Sequence, residues 1–96
     1  MARVTMRAGS VEFRCPGCGW THMLNTDPAQ SPSWVFNGDP RWPTLSPSIN
    51  ASRTYTAPDR ADERCHAFVT DGRIGFLADC THALAGQTVD LPEVAA

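Results

Sequence analysis

The stretch CPGCG, residues 15–19, constrains this chain more than any other. Cys15 and Cys18 are separated by a proline and a glycine, a spacing that serves half of a zinc site, a redox dithiol or part of a disulfide framework. The flanks discriminate among these. A thioredoxin-type dithiol needs its first thiol at a helix N-terminus, where the dipole lowers its pKa. Here the pair is bracketed by VEF (11–13) and WTHML (20–24), short runs of strand character. Gly17 and Gly19 let backbone amides turn toward the sulfurs, so the stretch reads as a zinc knuckle within a β-hairpin.

Size makes such a staple matter. A chain of 96 residues folds as one domain, 1–96, and buries roughly 60–70% of the surface its unfolded form exposes. MARVTMRAGS, residues 1–10, has no signal-peptide core, and no apolar run approaches ~18 residues. The expectation is a cytoplasmic protein with no membrane association, and in a reducing compartment four cysteines favour metal over disulfides. All eight basic residues are Arg, and the formal charge is −2. Loading four thiolates with zinc takes that charge to about −4, which argues against a general duplex-binding footprint.

The rest of the chain reads as short strands and turns. RVTMR and SVEFR flank a turn at Ala8-Gly9, and Thr21 to Asn25 returns as a partner strand. Residues 25–60 hold six of the eight prolines. Within them SWVFNGD reads as a strand ending in a turn, and PTLSPSINAS as an edge strand, because Pro47 cannot donate to a ladder. Residues of about 53–63 read as a polar, mobile loop. CHAFVTDGRIGFLADC holds two apolar runs around Asp71-Gly72, a strong hairpin signal. THALAG is compatible with one helical turn, and QTVDL with a last strand. No segment keeps a helical period over about 11 residues. The fold class expected is a small all-β or β-rich domain of zinc-ribbon-like hairpins, stapled by one structural Zn2+.

Zinc takes four ligands in a structural site, so Cys15 and Cys18 need two more. With a two-residue turn at Asp71-Gly72, Thr70 pairs with Arg73. Cys65 then lies opposite Ala78, with Cys80 diagonally across on the same face. The leading set is therefore Cys15, Cys18, Cys65 and Cys80. A bulged three-residue turn would bring His66 to the face of Cys80 instead, and His82 could also serve. Deaminase chemistry is excluded, since no histidine is followed two residues later by Glu. No phosphate-binding glycine loop and no Gly-x-Ser-x-Gly elbow occurs. The SPS that appears at 31–33 and again at 46–48 reads as coincidence.

Two further groupings carry functional alternatives. His22, His66 and His82 each lie within four residues of a cysteine, and with Asp39 or Asp79 they could build a metal-dependent hydrolytic site. The aromatic residues, Trp42 and Tyr55 above all, raise a single-strand nucleic-acid-binding zinc ribbon. The loop NGDPRWPTLSPS, with Asn37, Asp39, Arg41 and Trp42, is the preferred protein-contact surface, because Arg and Trp dominate interface hot spots.

CPGCGWTH, WVFNGDPRWPTLSPSI and RCHAFVTDGRIGFLADCTHALAGQTVDLPE together resemble a family of small phage and prophage proteins of unknown function, whose members often carry the label ammonia monooxygenase. The matching residues include Cys15, Cys18, His22, Asn37, Gly38, Asp39, Cys65, His66, Cys80 and His82. The resemblance implies a phage-encoded, zinc-binding protein in the host cytoplasm. It does not transfer the enzymatic label, because that class is membrane-embedded and copper-dependent. The resulting expectation is a zinc-binding accessory protein that acts as an interaction module for a host or phage protein.

Overall fold

A computed structural model describes residues 1–94, and among them every regular element is a strand. β1 (Thr5–Arg7), β2 (Ser10–Arg14) and β3 (Thr21–Asn25) form a three-stranded antiparallel sheet in chain order. β4 (Val35–Phe36), β5 (Leu45–Arg53), β6 (Glu63–Thr70), β7 (Arg73–Phe76) and β8 (Thr88–Asp90) form a second, five-stranded antiparallel sheet, also in chain order. The larger sheet goes beyond the paired hairpins of a ribbon. Among the described residues no helix is long and apolar enough to cross a membrane.

Alternation along each strand fixes which face is buried. Val11 and Phe13 of β2, Leu24 of β3, Ile49 of β5, Ala67 and Val69 of β6, and Ile74 and Phe76 of β7 join one core cluster. Each large apolar side chain so buried contributes about 1.5–3 kcal/mol. The intervening residues face outward: Met23, Arg64, Phe68 and Arg73 are exposed. Cys65 is buried in this core, while the next residue, His66, points to the other face of the sheet.

The β6–β7 hairpin has the expected two-residue turn, with Thr70 opposite Arg73 and Phe68 opposite Gly75. Asp71 and Gly72 both take positive φ, 51° and 79°, as a type I′ turn demands. A side chain at Gly72 would also meet Trp42, whose Cε3 lies 2.9 Å from an ideal Cβ there.

Two expectations are corrected. PTLSPSINAS is not an edge strand, because β5 lies between β4 and β6. The proline is tolerated because the ladder is interrupted around it: Leu45 pairs with Val69, the register then shifts, and pairing resumes at Ile49 with Ala67. THALAG turns through hydrogen bonds from Ala85 N to His82 O and from Gln87 N to Leu84 O without forming a helix. The segment expected as a mobile loop is largely the β5–β6 connection. There the Tyr55 hydroxyl donates to Glu63 at 2.6 Å and the Arg60 guanidinium lies 4.0 Å over the Tyr55 ring.

Candidate functional site

Two groups of reactive side chains lie back to back across β6. On the buried face, Cys15, Cys18, His22 and Cys65 bring one ligand atom each to within 4.8 Å of one another. The β2–β3 connection supplies the first pair. Cys15 N donates to Trp20 O and Gly19 N to Cys15 O, closing a tight turn. The amides of Gly17 and Cys18 turn toward the Cys15 sulfur, and that of Trp20 toward Cys18. His22 enters from β3, and Cys65 from the start of β6.

The distances match a tetrahedral site. Cys15 Sγ is 3.7 Å from Cys65 Sγ, and Cys18 Sγ is 3.4 Å from His22 Nε2. A tetrahedron with metal–sulfur bonds of ~2.3 Å and a metal–nitrogen bond of ~2.0–2.1 Å has edges of about 3.8 Å between sulfurs and about 3.6 Å from sulfur to nitrogen. Electrostatics point the same way. The Cys65 thiol donates to Cys15 and pulls it down to about 3, while burial pushes Cys18 up to about 11. The contact with Cys15 is the largest of the influences that push Cys65 up. Two thiolates ~4 Å apart repel by about 4 kcal/mol at an effective dielectric of ~20. Full ionisation of this cluster therefore calls for a cation among the sulfurs.

Cys80 does not take the fourth place in this group; His22, assigned from sequence to a hydrolytic alternative, takes it. Cys80 instead groups with Cys65 and His82. Its sulfur accepts from His66 N and donates to His66 O, both at 3.2 Å. His82 packs edge-on against Phe76 with ring centroids 4.5 Å apart, and its Nδ1 accepts from Leu84 N. Its buried Nε2 has no hydrogen-bond partner and lies over Gly17, 2.6 Å from where a Cβ would stand.

The open face carries the second group. His66 Nε2 lies 3.4 Å from Ser48 Oγ, and His66 Nδ1 lies 3.2 Å from Asp79 Oδ2. The pairing of Asn50 with His66 places Ser48 diagonally across from the imidazole. Asp79 arrives from the turn after β7 and also meets Arg64 Nη1 at 3.4 Å. The hydrogen bond to His66 is the main cause holding the Asp79 carboxyl below its ordinary range, helped by Arg64. One tautomer satisfies both contacts: Nδ1–H donates to Asp79, leaving Nε2 to accept the Ser48 proton. A serine, a base on it and an acid orienting that base form a nucleophile relay.

The three histidines thus belong to separate environments: His22 with the thiols, His82 on the knuckle glycine, His66 on the open face. Asp39 joins none of them, since its carboxylate accepts from the Arg41 and Trp42 amides. Asn37 likewise caps its own loop, donating to Trp42 O at 3.0 Å. Trp42 is 49% exposed and stacked under Arg3 at 4.5 Å, and Arg41 is exposed. Ser48 is the residue that sequence reasoning missed. Its signal was the SPS at 46–48 placed in a strand opposite a histidine strand, and only the β5–β6 register makes that visible.

No curated protein and no solved structure matches this chain. A family model does, over residues 2–77, a span that contains Ser48 and His66 and stops two residues short of Asp79. The match covers most of the sequence, so the chain belongs to the family described as "Bacterial ubiquitination-like system serine protease (BubE)".

Proposed function

We propose that this protein is a serine protease of a bacterial ubiquitination-like system, with Ser48 as nucleophile, His66 as general base and acid, and Asp79 as the group that orients His66. The observation that carries the reading is the continuous line of contacts from Ser48 Oγ through both nitrogens of His66 to Asp79, at 3.4 and 3.2 Å. The family description names the same chemistry. The reading replaces the interaction module expected from sequence with an enzyme whose substrate is a protein of that system.

The steps follow from the proton positions. Ser48 Oγ attacks the scissile carbonyl carbon as its proton passes to His66 Nε2. The imidazolium so formed is held by the Asp79 carboxylate through Nδ1–H. Collapse of the tetrahedral intermediate breaks the C–N bond, and the departing amine takes the proton from Nε2. Water, deprotonated by His66, then attacks the acyl-Ser48 ester and frees the acid and the serine. The site lies on an open sheet face. A hollow of about 700 Å³, lined by Trp42, Phe68, Gly75 and Leu77 among others, reaches Phe68, two positions along β6 from His66, and offers room for an extended chain.

The same reading assigns one zinc ion to Cys15, Cys18, His22 and Cys65. Three thiolates and an imidazole make a closed set with no position left for substrate, which is a structural site and not a catalytic one. Free thiols on all four cysteines suit a reducing compartment such as the cytoplasm.

The test is covalent labelling. Phenylmethanesulfonyl fluoride should add one sulfonyl group per chain, located at Ser48 by peptide mass mapping. Ser48→Ala and His66→Ala should both abolish the adduct while keeping the fold. An adduct that persists in Ser48→Ala, or none in the wild-type protein, would sink the reading.

A further inference from the structure

We infer that Cys80 is a positioning residue of the Ser48–His66–Asp79 relay, one that acts through the backbone of His66 and not as a metal ligand. The inference rests on the proteolytic reading above.

The geometry begins with a gap in the sheet. β6 and β7 pair regularly from Thr70–Arg73 to Ala67–Phe76. One step further Leu77 N still reaches His66 O at 2.9 Å, but the chain then turns, with Cys80 N bonded to Leu77 O. The turn brings Asp79 over the strand to His66 Nδ1. It also removes the carbonyl that would have accepted from His66 N. A part-buried amide left without an acceptor is destabilising, and the Cys80 sulfur takes the place of that carbonyl at 3.2 Å.

One sulfur then does two things. It accepts from His66 N and donates its S–H to His66 O. The sulfur so engaged lies outside the group formed by Cys15, Cys18, His22 and Cys65. Alternation explains how a buried group serves an open site. Asp79 and Cys80 are consecutive, the first exposed and reaching the imidazole, the second buried and holding the same residue's backbone. The segment 79–80 therefore grips His66 from both faces of the sheet. Downstream, Thr81 N to Arg64 O and Arg64 N to Thr81 Oγ1 hold the same turn against β6. Without the thiol, the side-chain tie between residue 80 and the backbone of His66 is gone. Misplacement by ~1 Å in such a relay reduces rates by about 100-fold.

The experiment compares Cys80→Ala and Cys80→Ser with wild type, and adds Cys80→Val as a space-filling variant in case the alanine protein does not fold. Three readouts are taken: bound zinc per chain, kcat and KM for p-nitrophenyl acetate, and the low-field NMR signal of the His66 Nδ1 proton. Zinc content should be unchanged in every variant. The alanine or valine variant should lose kcat by about 10- to 100-fold with KM within about twofold, and should lose the Nδ1 proton signal. Cys80→Ser, whose hydroxyl can accept and donate as the thiol does, should restore most of both. Loss of zinc in the serine and alanine variants together would make Cys80 a ligand and overturn the inference. So would wild-type kcat in the alanine or valine variant. If wild-type protein turns over no ester, it is the proteolytic reading that fails. The Nδ1 signal then still decides the role of Cys80, and its persistence in the alanine or valine variant would refute it.

Discussion

Gly17→Ala is a sharp perturbation of the knuckle, because two opposed effects act on it and the distances decide which wins. Replacing glycine by alanine at a permitted φ stabilises a protein by about 0.4–1 kcal/mol through the unfolded chain, and Gly17 is not in the positive-φ region. Against that, an ideal Cβ at Gly17 would stand 2.4 Å from His82 Cε1, 2.6 Å from His82 Nε2 and 2.8 Å from Phe76 Cζ. Carbon atoms pack best at ~3.5–4.0 Å, so the imidazole would have to retreat by about 1 Å or more. It has little freedom to do so, being stacked on Phe76 and bonded through Nδ1 to Leu84 N. Phe76 in turn is buried in the core. Forcing a methyl into such packing costs about 1–3 kcal/mol.

The clash therefore outweighs the entropic gain, and the net effect is a destabilisation of about 1–2 kcal/mol. For a domain near this size each kcal/mol shifts Tm by roughly 4–8 °C, so Gly17→Ala should melt roughly 5–15 °C lower by circular dichroism, with zinc saturating. The diagnostic step is a double-mutant cycle. His82→Ala removes most of the obstruction, so the alanine at position 17 should cost far less in that background than in wild type. Additivity within about 0.3–0.5 kcal/mol, or a Gly17→Ala protein as stable as wild type, would show that His82 does not sit over the knuckle.

Much of the architecture was legible because local signals agreed with the global fold. Asp71-Gly72 sets the β6–β7 register, and that register correctly sorts Cys65 inward and His66 outward. VEF, THML and the glycines of CPGCG together specify the knuckle. What was not legible depends on pairing between segments distant in sequence. Nothing in PTLSPSINAS shows which strand lies beside it, so the seating of Ser48 near His66 could not be read. The fourth thiol was misplaced for a related reason. Parity correctly put Cys80 on the face of Cys65, but a turn at Leu77–Cys80 diverts the chain before Cys80 reaches Cys15 and Cys18. His22 is four residues beyond Cys18 on the returning strand and takes the place instead.

Two other outcomes follow from the sites. Asp79→Asn should lower kcat by about 10- to 100-fold, through loss of the acceptor that orients His66 Nδ1. The comparison belongs at about pH 8, where the Asp79 carboxyl, held below its usual range by His66 and Arg64, is ionised. By linkage, any stability from this depressed pKa is present above the unfolded value near ~3.9 and lost as pH falls through the folded one; an Asp79→Asn protein with wild-type kcat would contradict the role given to Asp79. Chelation should unfold the domain, since structural zinc contributes about 10–16 kcal/mol in small folds against a total stability of about 5–15; retained near-ultraviolet dichroism with no bound metal would rule that out.

On the proposed reading, the placement of the two groups lets the metal support catalysis without any part in the reaction. Adjacent residues of a strand point to opposite faces, so Cys65 and His66 cannot both serve one site, and they serve two. Fixing Cys65 in a closed tetrahedral set anchors the start of β6 to the β2–β3 knuckle, and with it the backbone from which His66 projects. Arg64, on the other side of Cys65, is tied at Asp79 through its guanidinium and at Thr81 through its backbone. The two sheets share one core, and Cys15 to Cys65 is a contact in that core linking β2–β3 to β6. A short chain with several very short strands and, among the described residues, no helix has few other means of holding an open-face serine and histidine within hydrogen-bond reach. On that reading Cys65, which would hold the metal, stands one residue away from His66, which would use the fold it secures.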